Sequence, residues 1–305
     1  MKTNVIIIGA LMLIGISMSS CSNEDLTQEE NKVENLEQEK ELLNLQNQIS
    51  ELNTSTFGNS MYARGFGKWF RKVFGIVLSD AVGGIFGSLA GPGGTIVGAT
   101  LASGGVAISG ATPEFIARTA VTSNPLEMNE ESIALNNVVL KRNTNELPTL
   151  SDSIGYYHNK VLIDMNNKGQ LVATKDIKSL CNEVYLNTNN ILGYEIPLDE
   201  YEKIANNKEI VSLIENSSEN FADYEDMDKY LNNLRLAYPN LSSKFSVVRE
   251  FMRGLANLNI DENDGNYAQK VLELINNSNL YENSKEQLRN AVIIGNASYQ
   301  LWTVE

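Results

Sequence analysis

The sequence predicts an all-α protein, and three observations predict it. Small residues recur every four positions through a glycine-rich stretch in the first third of the chain. Apolar residues recur at spacings of three and four through residues 147–305. No segment shows a competing period of two. Residues three and four apart share one face of a helix, whereas alternate residues share one face of a strand.

The elements follow in order. Lys2, the apolar run Val5–Ile16 and the small residues Ser19 and Ser20 have the layout of a secretory signal peptide. With Cys21 at its end, this segment resembles a bacterial lipoprotein signal of the Bacteroidetes outer-membrane type. The resemblance implies removal of residues 1–20, acylation of Cys21 (palmitate included) and attachment to the lipid bilayer through that residue. Met18 departs from the pattern, since Leu, Val or Ala is more usual three residues before the cysteine. Ser22 after the cysteine implies the outer membrane, and the pair Glu24-Asp25 is similar to the export signal of surface lipoproteins. An uncleaved anchor helix and plain secretion are the competing readings, and the sequence does not separate a periplasmic from a cell-surface orientation.

Residues 21–60 are polar and acidic. Two apolar series, Val33, Leu36, Leu43 and Leu42, Leu45, Ile49, Leu52, give an amphipathic tether helix. The series are out of register, which argues against a long coiled coil.

Residues 61–112 form a cationic aromatic segment followed by a glycine-rich hairpin. Arg64, Lys68, Trp69, Phe70, Arg71 and Lys72 reverse the local charge of an acidic protein, and Phe66 and Phe74 extend the aromatic face. Such a stretch suits a membrane interface, or equally a helix docked on its own domain. Residues 75–112 then hold 11 of the 22 glycines and one charge, Asp80. Ser79, Gly83, Gly87 and Gly91 recur every four residues, and Gly94, Gly98 and Ala102 repeat the spacing. Small residues on one face let another backbone approach closely. The Gly91-Pro-Gly-Gly94 tetrad predicts a turn between helical arms at Val73–Ala90 and Thr95–Ser109. The pattern resembles the glycine-zipper hairpins of membrane-active peptides and some envelope proteins. Arms of this length reach roughly 22–27 Å, slightly short of a ~30 Å hydrocarbon core. Asp80 near a bilayer centre would cost roughly 2.5–3.5 kcal/mol. Three fates stay open: burial against the protein's own domain, conditional insertion or self-association in a membrane, and loose order.

Residues 113–146 read as a linker with a short helix at Pro113–Val121. Residues 147–305 read as a helical domain, with helices at Leu150–Met165, Lys175–Leu186, Leu198–Asn206, Lys208–Asn216, Met227–Ala237, Ser242–Leu258, Asn266–Asn276 and Ser284–Leu301. Ser284-Lys-Glu-Gln287 is a capping-box arrangement.

Charge and chemistry narrow the function. With 24 Lys and Arg against 38 Asp and Glu the net charge is −14, which argues against a nucleic-acid partner. His158 is the single histidine, too few for a site of nitrogen and sulfur ligands, and no nucleophile-elbow sequence accompanies it. With Cys21 acylated, Cys181 has no disulfide partner and reads as a buried apolar residue. Asp261-Glu-Asn-Asp-Gly265 misses the calcium-loop register because glycine falls at position five. No catalytic residue, metal or cofactor is therefore expected. The expectation is a non-enzymatic envelope lipoprotein whose helical domain is an interaction or structural module with a protein partner unknown. The alternative is a membrane-active, toxin- or bacteriocin-like protein that inserts its hairpin and self-associates through the small-residue seam. An α-helical hydrolase is the weakest alternative.

Overall fold

The computed structural model describes residues 24–58, 68–109, 150–173, 176–205, 224–258 and 265–303. Every regular element among them is helical, so the all-α fold holds. Cys21, Arg64, the linker, the helix expected at Lys208–Asn216 and most of the Asp261–Gly265 loop lie outside the described residues.

The chain divides into two compact units, Met1–Glu41 and Leu42–Glu305. In the first, residues 24–41 belong to helix α1 (Glu24–Phe57), and Leu36 is exposed. In the second, the remainder of α1 puts Leu42, Leu45 and Ile49 into the core and leaves Leu43 in solvent. Of the second apolar series Leu42, Leu45 and Ile49 are buried and Leu52 is half-buried; of the first, Leu36 and Leu43 are exposed. Asn53 adds a polar anchor: its Nδ2 donates to the Glu250 carbonyl at 2.8 Å, and its Oδ1 accepts from Tyr267 Oη at 2.8 Å.

The hairpin comprises α2 (Lys68–Gly87), a 3-10 turn at Ser88–Ala90 and α3 (Gly91–Ser109). The reversal therefore runs over Ser88–Gly91, so only the first residue of the Gly91–Gly94 tetrad takes part in it, and Gly91 supplies φ +75°, a value that L side chains rarely adopt. Pro92 then sits in the first turn of α3, where its missing N–H would have no helical partner in any case. The first arm also begins earlier than expected, so Lys68, Trp69, Phe70, Arg71 and Lys72 are helical residues of α2. At 20 and 19 residues the arms reach about 30 and 28 Å, longer than the sequence spacing implied.

Among the described residues the unit also holds α4 (Leu150–Asn167), the single turn α5 (Gln170–Ala173), α6 (Ile177–Leu192), α7 (Leu198–Ala205), α8 (Tyr224–Ala237), a 3-10 turn at Pro239–Leu241, α9 (Ser242–Leu255), α10 (Gly265–Asn277) and α11 (Glu282–Thr303). Local signals set several ends. Asp176 caps α6 by accepting from the Ser179 amide at 2.9 Å, and Gly193 ends it at φ +73°. Gly169 breaks the chain after α4 at φ +69°. The capping box at Ser284 is not used, because α11 opens at Glu282 and carries Ser284 inside its first turn. Gln287 instead accepts from Lys244 Nζ at 2.5 Å.

The hairpin lies in the interior. Its first arm runs along α11 and touches α9; its second arm packs on α4, α6 and α7, and α4 and α11 also pack on each other. Side chains from the surrounding helices and loops meet it. Phe86 packs edge-on against Tyr238 and Phe245 at centroid distances of 5.2 and 6.0 Å. A side chain at Gly104 would meet Leu180, and one at Gly93 would meet Ile196.

Neighbouring glycines in the first arm should respond oppositely to alanine. A Cβ at Gly83 would stand 2.7 Å from the Gly98 carbonyl oxygen, so backbone must move; one at Gly84 would rest in ordinary contact, 3.6 Å from Ile294. Gly83→Ala is expected to lower stability by roughly 1–3 kcal/mol, the range for overpacking a core. Gly84→Ala should be neutral or stabilising by up to about 1 kcal/mol, the helix-propensity gain. Urea unfolding of both variants measures the contrast.

Candidate functional site

Small residues bring the two arms into backbone contact. Gly83 faces Gly98 and Gly87 faces Gly94: a Cβ on Gly98 would lie 2.7 Å from the Gly83 carbonyl oxygen, and one on Gly94 would lie 2.6 Å from that of Gly87. Ala102 extends the seam, 3.0 Å from where a Gly83 Cβ would stand. Ser79 is buried a turn further along. Gly91 stands apart from the seam in the turn, with open space around its Cβ position. Each arm therefore occupies the small-residue face of the other. The side chains of Lys68, Trp69, Phe70, Arg71 and Lys72 lie outside the described residues.

One polar centre interrupts this apolar layer. Asp80 of α2 is fully buried, as is His158 of α4. Ser103 Oγ of α3 donates to Asp80 Oδ1 at 2.5 Å, and Ser298 Oγ of α11 donates to Asp80 Oδ2 at 2.6 Å. Four helices thus converge on a single carboxyl group. His158 Nε2 lies 3.6 Å from Asp80 Oδ2, beyond hydrogen-bond length.

Hydrogen-bond geometry fixes the tautomer of the imidazole. Asn159 Nδ2 donates to the Ala297 carbonyl at 2.9 Å, which turns Asn159 Oδ1 toward His158 Nδ1 at 3.0 Å. An oxygen that only accepts requires a proton on Nδ1, so the neutral ring presents the bare Nε2 to Asp80. Burial pushes the Asp80 carboxyl up to about 8 against the opposing pull of its two serine donors. Burial likewise pushes His158 down to about 4, partly offset by Asn159. Both groups are therefore neutral at pH 7, which removes the cost of an ion in the core.

The composition of this centre resembles a hydrolytic triad, but its connectivity does not. In a working triad the histidine lies between the serine and the acid. Here the acid lies between both serines and the histidine, and all four groups are buried. Cys181 offers no better nucleophile: it is 5% exposed, and burial raises its thiol to about 11. Among the described residues no cluster of three or more His, Cys, Asp or Glu could hold a metal ion.

Sequence reasoning treated His158 and Asp80 separately and missed Ser103 and Ser298 as partners. The available signal was Asp80 itself, since the sole charge in an apolar hairpin requires polar neighbours once buried. No protein-family model, curated protein or solved structure matches the chain.

The centre predicts a specific pH dependence. Asp80 titrates higher folded than unfolded, so its contribution to stability is complete below about 3.8 and is lost as pH rises toward about 8. His158 titrates lower folded than unfolded, so its contribution is present above about 6.5 and is lost as pH falls toward about 4. The slopes cancel between those two histidine values, and only the Asp80 slope remains above them. From pH 6.5 to 8 stability should fall, with a slope that stays below the one-proton limit of about 1.4 kcal/mol per pH unit. Asp80→Asn should flatten that window, as read from urea midpoints across it.

Proposed function

We propose that this chain is a lipid-anchored protein of the bacterial outer membrane, held through Cys21, and that residues 42–305 act there without catalysis as a helical interaction or structural module. The anchoring half of the reading rests on residues 1–25, with their charged start, apolar run, small residues and cysteine. The acidic pair Glu24-Asp25 favours display at the cell surface.

The observation that carries the non-catalytic half is the fate of the reactive side chains. The one histidine is buried, with its bare nitrogen turned to a neutral carboxyl. The one cysteine besides Cys21 is buried, with its thiol shifted away from the reactive thiolate. The groups best suited to chemistry are thus part of the interior. The outer faces carry scattered apolar residues, including Leu186, Leu198 and Leu236 at 60%, 59% and 80% exposure. Single exposed apolar residues of this kind are compatible with a protein-facing role without specifying a partner.

Comparison of wild type with Cys21→Ala in intact cells tests the reading. The wild-type chain should sediment with membranes and be removed by added protease, while the variant should appear in soluble fractions. A Cys21→Ala chain that stays with the membrane would contradict anchoring through that residue.

A further inference from the structure

We infer that the hairpin Lys68–Ser109 is a bilayer-inserting element held in store inside the helical unit, and that its partner is an anionic lipid surface. This goes beyond anchoring through Cys21, which attaches the chain to a membrane without moving the hairpin.

Four observations carry the inference. First, the stretch Phe74–Gly105, most of both arms with the turn between them, has the length and apolarity of a membrane span, which it shares with buried core helices, and 83% of its most apolar window is buried inside the unit. With Lys68–Lys72 held at the interface, the first arm gives the hydrocarbon core Val73–Gly87, roughly 22 Å of helix, which fits a ~30 Å core only with local thinning of the bilayer. Second, the hairpin is held together from within. Gly83 on Gly98 and Gly87 on Gly94 are contacts between its own arms, so removal of the surrounding helices leaves the seam intact. Third, its one acid has a partner on the other arm. Ser103 donates to Asp80, and that bond moves with the hairpin. The bonds that reach it from α11 are few: Ser298 to Asp80, and Asn290 Nδ2 to Thr95 Oγ1 at 3.2 Å. The bulk of the contact is apolar, and lipid tails can replace it.

Fourth, the two ends differ in the manner a bilayer requires. The turn end carries no charge and exposes Leu89 at 59%. The base carries Lys68, Arg71 and Lys72 in the opening turns of α2, with Arg64 just before them and Trp69 and Phe70 between them. Cations at a helix N-terminus are opposed by the helix dipole. Their placement is favourable beside anionic headgroups, where basic and aromatic residues concentrate. The turn would enter first and the base would stay at the interface.

A reversible cross-link between hairpin and α11 tests this. The Cβ position of Gly84 lies 3.7 Å from Ile294 Cβ, within disulfide range, so Gly84→Cys with Ile294→Cys joins α2 to α11. The double variant, in residues 21–305 with Cys21→Ala and Cys181→Ala, is added to dye-loaded vesicles of phosphatidylethanolamine and phosphatidylglycerol. Wild type and the reduced variant should release dye and leave a protease-protected hairpin fragment, and the oxidised variant should lose both. Recovery on reduction separates locking from misfolding. Absence of release by wild type, or equal release by the oxidised and reduced forms, would overturn the inference.

Discussion

Backbone contact between Gly83 and Gly98, and between Gly87 and Gly94, is the constraint on which the rest of the structure depends. Because the arms meet at their small residues, their large ones turn outward. Ile85, Phe86, Ile96 and Leu101 become the surface on which the other helices pack, and all are buried. The hairpin thereby forms the interior of the unit, with α9 and α11 packed on its first arm and α4, α6 and α7 on its second. A second close approach supports the arrangement: Gly155 of α4 leaves space for Ala297 of α11, where a Cβ would come within 2.8 Å. That contact joins α4 to α11 directly.

Much of this was legible in the sequence. Four-residue recurrence of glycine and alanine marked two helical arms with a small-residue seam on each, because small residues on one face let another backbone approach, but it did not say that the two seams face each other. The three-and-four spacing of apolar residues extends through α9, where Phe245, Val248, Phe251, Met252 and Leu255 form the core face and all five are buried. The turn was misplaced because Gly91-Pro-Gly-Gly94 carries the strongest breaker signal, yet only Gly91 has a positive φ. The proline that signals a turn is equally at home in the first turn of a helix. The polar centre was not legible, since Ser298 and Asp80 are 218 residues apart in the chain and no local pattern links them.

Asp80 connects packing to function. A carboxyl group at the centre of an apolar layer is destabilising if charged, and burial holds Asp80 neutral against the pull of its two serine donors. For a purely structural core an aliphatic residue would serve better, as replacement of buried polar groups by apolar ones of similar shape is often neutral or stabilising. A neutral acid bonded to Ser103 is what the proposed insertion of the hairpin would require, since that bond joins the hairpin's own two arms.

Amide hydrogen exchange of the domain in water tests the central claim most directly. If the two arms form the buried interior, amides from Val77 to Leu101 should be among the last to exchange, at a rate that follows global unfolding. Exchange of those amides as fast as that of exposed helical positions, with the other helices still protected, would contradict the account.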